Sequence, residues 1–237
     1  MTFPRYRTTP QDLRAPRNWR QFFILGGITV VIAAILTFLF RQFEPWRMAS
    51  RDIGTIALVE PENLVFYTGW IVYLGAIVWF FGAGVAFFAA AAVRRSGART
   101  REAGMLAGFG GILLLLGADD LFQFHDNALL LLHIGESKTM IAWGIIAVLW
   151  GLWYLPEILR TPELPMFVLG VLFFAHSTIA DLDHSLPLRV AEEATKFTGV
   201  LCFAIWVWLI AFRLLTPKAV ATPEPTSLAA KLAAPGR

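Results

Sequence analysis

The sequence predicts an all-α polytopic integral membrane protein with six transmembrane helices. Its composition and the length of its apolar runs lead there. Of 237 residues, 57% are hydrophobic and 16% charged, whereas soluble domains average about 45–50% and about 25%. Mean hydropathy is +0.62. The apolar residues form long continuous runs, not the alternation expected of a membrane β-barrel strand. These observations exclude a soluble enzyme, a disordered chain and a coiled coil. Cys202 is the one cysteine, so neither an intramolecular disulfide nor a CxxC metal site can form.

Six apolar segments follow one another. They are Phe22–Phe40, Leu64–Val93, a segment starting at Met105, Ile141–Leu155, a segment from Met166, and one ending near Leu215. Arg5, Arg7, Arg14, Arg17 and Arg20 precede the first, as in a signal peptide. Its apolar core runs about 19 residues against the ~7–15 of a cleavable signal, and no A-x-A site follows, so it is expected to remain as an anchor helix. The chain divides into an Arg-rich cytoplasmic segment (1–20), a six-helix domain (21–215) and a Pro-, Ala- and Thr-rich cytoplasmic tail (216–237) expected to be disordered.

Charge sets the expected orientation. With the N-terminus inside and the spans alternating, fourteen of the twenty Lys and Arg residues fall on the inner side. Positive side chains near span ends are retained in the cytoplasm, so N-in/C-in is expected, in a bacterial-type inner (plasma) membrane. Twelve of the seventeen acidic residues fall on the outer half, which sums to −6, while the inner half sums to +9. The basic face suits anionic lipid headgroups of the bilayer; no nucleic-acid-binding pattern is present.

Spans 3 and 5 carry the chemistry. The uncharged run Met105–Ala118 rises only ~21 Å, short of a ~30 Å hydrocarbon core. The helix must continue through Asp119, Asp120 and on to His125, which brings adjacent aspartates within the outer leaflet. Span 5 repeats this: Met166–Ala180 rises ~22 Å, contains His176, and leads into Asp181, Asp183 and His184 before Pro187. Span 6 begins with Glu192, Glu193 and Lys196. On a helix His176 and Asp183 share a face, Ser177, Asp181 and His184 share an adjoining one, and Glu192 and Lys196 form an i, i+4 pair. Asp120 and His125 point about 140° apart, so both serve one site only if the helix distorts. Intramembrane charge costs at least ~2.5–3.5 kcal/mol, and here carboxylates outnumber the neighbouring cations Arg189, Lys196 and Lys138. The surplus calls for protons, through raised carboxyl pKa values, or for a bound cation.

Two classes of function follow. In the first, Asp120, His125, His176, Asp181 and His184 hold a divalent metal ion (zinc, iron or manganese). Asp119 or Glu193 then acts as general base for metal-bound water, hydrolysing a lipid-like or amide substrate that arrives from the bilayer. In residue type this set resembles the membrane-embedded metal hydrolases related to alkaline ceramidases and the adiponectin receptors, whose zinc is held by histidines with Asp and Ser nearby. That group has seven spans and an HxxxH pair in its last helix; this sequence has neither, and no residue is carried over. The paired Glu-x-x-His of dinuclear iron proteins is also missing. In the second class, the same carboxylates serve a proton- or cation-handling carrier. A non-catalytic assembly subunit is the remaining alternative, in which Asp183, His184, Glu192 and Glu193 bound a solvated loop.

Overall fold

The computed structural model describes residues 19–43, 69–95, 100–122, 124, 136–182 and 186–216, with the side chains of 136–137, 181–182 and 186–191 left undescribed. The described residues form seven helices: α1 (Trp19–Gln42), α2 (Trp70–Arg95), α3 (Thr100–Phe122), α4 (Glu136–Trp153), α5 (Leu155–Arg160), α6 (Leu164–Leu182) and α7 (Leu186–Leu215). Each of the six apolar segments contains a helix among its described residues. Four helices are long and apolar enough to cross a membrane: α1, α2, α3 and the Glu192–Leu215 part of α7. Two more apolar stretches are shorter, Lys138–Trp153 and Leu164–Ala180. The N-terminal arginines and the C-terminal tail lie outside the described residues.

Local chemistry sets the boundaries. Gly69 takes φ 75°, a left-handed conformation that costs glycine nothing, and α2 starts immediately after it. The segment expected to end at Leu155 breaks at Tyr154, because Pro156 fits the first turn of a new helix but not the interior of an old one. The short α5 then closes at Thr161, whose amide and hydroxyl both donate to the Ile158 carbonyl at 3.1 and 2.7 Å.

The bundle is built around two pairs, α2 with α3 and α6 with α7, with α7 also packed on α2 and α1. Lipid offers no hydrophobic drive for helices to associate, so close packing of small residues carries the association. Ala83, Ala86, Ala89 and Ala90 of α2 are buried against α3. At Gly199 of α7 a β-carbon would stand 3.0 Å from the Phe174 amide nitrogen of α6, so the two backbones touch there. The centre is aromatic: the Phe109 ring is 4.9 Å from Trp150, 5.0 Å from Trp206 and 5.6 Å from Phe203. Trp150 also donates its indole N–H to the Met105 carbonyl at 3.2 Å.

Outside this core the surface is apolar. Phe23, Phe88, Ile141, Leu152, Trp153 and Leu172 are all exposed. A soluble protein rarely shows such a continuous apolar surface, and hydrocarbon is the solvent that suits it. The chain is a helical, membrane-type protein. At one end of the bundle, arginines hold the α4–α6 connection on both sides. Arg101 of α3 pairs with Glu157 at 2.6 Å, and Arg213 of α7 grips Glu163 with two bonds of 2.8 and 3.3 Å.

Candidate functional site

The opposite end holds the charged residues singled out above. On α3, Asp120 follows Arg101 by nineteen positions, a rise of ~28 Å and close to the thickness of a hydrocarbon core. Lys196 of α7 crosses to it: Nζ lies 2.9 Å from Asp120 Oδ1 and 3.4 Å from Glu193 Oε1. One ammonium is thus shared between a carboxylate of a facing helix and one of its own. The side chains are 26% exposed for Lys196 and 12% for Asp120, so the pair is largely shielded.

The carboxylate of Asp120 has two different surroundings. Oδ1 meets the ammonium. Oδ2 faces α2 at Gly75, where a β-carbon would stand 3.8 Å away, with the Phe197 ring 4.0 Å from the same point. Gly75 is buried. Asp119, one position back and about 100° round the helix, is buried as well.

A second polar contact joins α6 to α7. His176 Nδ1 is 3.3 Å from Thr195 Oγ1, and that hydroxyl donates to the Glu192 carbonyl at 3.0 Å. A hydroxyl has one proton. With it committed to the carbonyl, Oγ1 accepts from His176 in the Nδ1–H tautomer; a hydroxyl turned to the ring would reverse both roles. The free lone pair of the neutral imidazole then sits on Nε2, on an exposed side chain. Ser177, beside it, is buried.

Of the residues expected to form the site, Asp120 and Glu193 meet through Lys196. His176 joins α7 one residue away, at Thr195. His125 and His184 lie outside the described residues, and Asp181 is described by its helical backbone alone. Among the described residues no group of three or more His, Cys, Asp or Glu stands close enough to hold a metal ion. Sequence reasoning counted Lys196 among the nearby cations but joined it to Glu192 on its own helix; the cross-helix partner Asp120 was not foreseen. The facing Gly75 and the Thr195 bridge were missed too, since nothing in a single sequence marks a small or hydroxylic residue as facing a charge.

No curated protein and no solved structure matches the chain. Residues 11–210, most of its length, match one family, described as a domain of unknown function. The chain belongs to that family, DUF8692.

Proposed function

We propose that this chain is a proton-handling integral membrane protein whose working site is the Asp120–Lys196–Glu193 cluster. The observation that carries the reading is the shared ammonium. A proton on Asp120 removes the cross-helix attraction and leaves Lys196 to Glu193, so protonation and the α3–α7 contact are coupled. Intramembrane ionisable groups on facing helices are the usual substance of proton relays. The aromatic layer around Phe109, Trp206 and Phe203 supports exchange with one aqueous face. The positive-inside balance supports an inner membrane with both termini cytoplasmic, the site facing outward.

The test is a distance measured between spin labels on the full chain in detergent. Labels at Phe122→Cys on α3 and at Ile179→Cys on α6, the helix packed on α7, occupy exposed positions and are placed in a Cys202→Ala background. Acidification from about pH 8 to about pH 2.5, which carries the solution past the ordinary carboxyl values of about 4, should broaden or lengthen the distance. Asp120→Asn should show the acid distribution already at neutral pH. A distribution independent of pH refutes the reading.

The lone pair on His176 Nε2 favours one second reading, the metal centre with Asp120, His125, His176, Asp181 and His184 as ligands. Its test is elemental analysis of purified protein beside Asp120→Ala and His176→Ala. Near-stoichiometric zinc, iron or manganese lost in both variants supports it and justifies a lipid-hydrolase screen. A metal-free wild type removes it.

A further inference from the structure

The short helix α5 carries a charge that the packing of the bundle does not use. Around its axis Leu155 and Leu159 form one edge, Arg160 comes next and Glu157 after it, while Ile158 is buried against the bundle. Leu155, Leu159 and Arg160 are all exposed. Glu157 is taken by Arg101 of α3, whose Nε reaches it at 2.6 Å and whose Nη2 also donates to the Trp153 carbonyl at 3.2 Å. A guanidinium has five N–H donors, and those on Nη1 of Arg101 have no partner among the described residues. The Arg101 side chain is 62% exposed in spite of its ion pair. Arg160, at i, i+3 from Glu157 and so its neighbour on the helix, has no partner among the described residues either. Arg101, Glu157 and Arg160 therefore sum to +1. At the neighbouring clamp Arg213 and Glu163 cancel, and Glu102 has a contact of its own.

This surplus charge borders the barest apolar surface of the molecule. Trp153, whose carbonyl Arg101 holds, is 71% exposed, more than any other large hydrophobic side chain described. Exposed Leu149 and Leu152 continue that surface along α4, and Leu155 and Leu159 carry it onto α5. A tryptophan at the end of a lipid-facing helix belongs at headgroup level, with its ring against hydrocarbon. Basic side chains at that level meet lipid phosphate. A zwitterionic headgroup cancels the charge of its own phosphate, whereas a surplus of +1 is matched by a headgroup that keeps one negative charge. We infer that α5 and the end of α4 form a binding site for one anionic phospholipid, its phosphodiester on Arg101 and Arg160 and an acyl chain along Trp153, Leu152 and Leu149. The site lies at the opposite end of the bundle from Asp120 and stands independently of the proton-handling reading.

The experiment is mass spectrometry of the intact full chain released from detergent, with bound lipids counted as palmitoyl-oleoyl phosphatidylglycerol or the phosphatidylcholine of the same chains is titrated in. Wild type should take up one phosphatidylglycerol at least about fivefold more tightly than phosphatidylcholine. Arg160→Gln should lose about fivefold of that affinity, the equivalent of the about 1 kcal/mol that one basic side chain contributes at an anionic surface. Trp153→Ala should weaken both lipids. Both side chains are exposed, so the variants keep the fold, which circular dichroism checks. Arg94→Gln removes an exposed arginine from the same end of the bundle and should match wild type. Equal losses in Arg160→Gln and Arg94→Gln show only the general charge of that end and overturn the site, as does equal affinity of wild type for the two lipids. Trp153→Ala binding like wild type removes the acyl-chain contact and overturns it too. Displacement of the bound lipid by millimolar inorganic phosphate makes this a site for free anions and overturns the lipid assignment.

Discussion

Replacing Lys196 with methionine keeps the length of the side chain and removes the ammonium that two carboxylates share. The geometry allows a magnitude. Unit charges about 3 Å apart attract by about 5 kcal/mol at an effective dielectric of about 20. Part of that is offset by the cost of drying the groups, and breaking a buried pair usually costs about 3–5 kcal/mol. With Lys196 26% exposed, the lower figure applies, so Lys196→Met should destabilise by about 3 kcal/mol. Asp120→Asn is milder, about 1–2 kcal/mol, because Lys196 keeps Glu193 at 3.4 Å. The double variant removes both partners of the cross-helix pair, leaves Glu193 without its ammonium, and should cost less than the sum, with a coupling of about 2 kcal/mol. Unfolding of the purified chain in mixed micelles by increasing SDS, followed by circular dichroism, gives all four stabilities. Additive effects, or an Asp120→Asn cost exceeding that of Lys196→Met, would refute the shared-ammonium argument.

Three further outcomes are expected in the same assay. Gly117→Ala should destabilise by about 1–3 kcal/mol, because its β-carbon would overlap Trp79 at 2.6 Å. Trp206 is fully buried and its indole N–H has no hydrogen-bond partner among the described residues. Trp206→Ala should therefore cost about 3–5 kcal/mol, while Trp206→Phe, which sheds the unpaired donor, should cost no more than about 1.5 kcal/mol. Glu163→Gln loses the charge-assisted, two-bond grip of Arg213 and should cost about 1 kcal/mol, falling with added salt.

How much of this was legible in the sequence depends on which coordinate is asked for. Helix length is readable, because residue count converts to rise: the short apolar run before Asp119 required the helix to run on through Asp119 and Asp120 toward His125, and α3 carries both aspartates and runs to Phe122, with His125 outside the described residues. Helix breaks are readable where proline makes them, although Pro156 was passed over in extending the fourth segment to Leu155. Rotation about the helix axis is not readable from one chain. The apolar spans carry no strong polar face, since lipid and protein interior are equally apolar, so periodicity does not say which stripe meets which neighbour. That is why Lys196 was read against its own helix and not against Asp120. The approach of Gly75 to Asp120 leaves even less trace, because a glycine reads the same in sequence whatever it faces.

The Thr195–His176 contact gives a prediction that needs no assumption about what the protein does. The Thr195 hydroxyl lies 3.0 Å from the Glu192 carbonyl of its own helix and 3.3 Å from His176 Nδ1. Hydroxyls on helices commonly bond back to the preceding turn in this way, and the one proton available is spent there. His176 is then the donor, and its neutral form is the Nδ1–H tautomer with Nε2 bare. Nitrogen-15 spectra of histidine-labelled full-length protein, assigned against His176→Gln, report this directly. The His176 ring should show a protonated Nδ1 and a bare Nε2 at neutral pH, and Thr195→Val should release it to the opposite tautomer. A wild-type ring protonated on Nε2 would mean that the hydroxyl turns its proton to the imidazole and leaves the carbonyl. The Nε2 lone pair is what the metal reading needs as a ligand, whereas the proton reading rests on Asp120, Lys196 and Glu193 without it. Its loss in Thr195→Val, with the Asp120–Lys196 pair untouched, separates what His176 contributes from what the shared ammonium does.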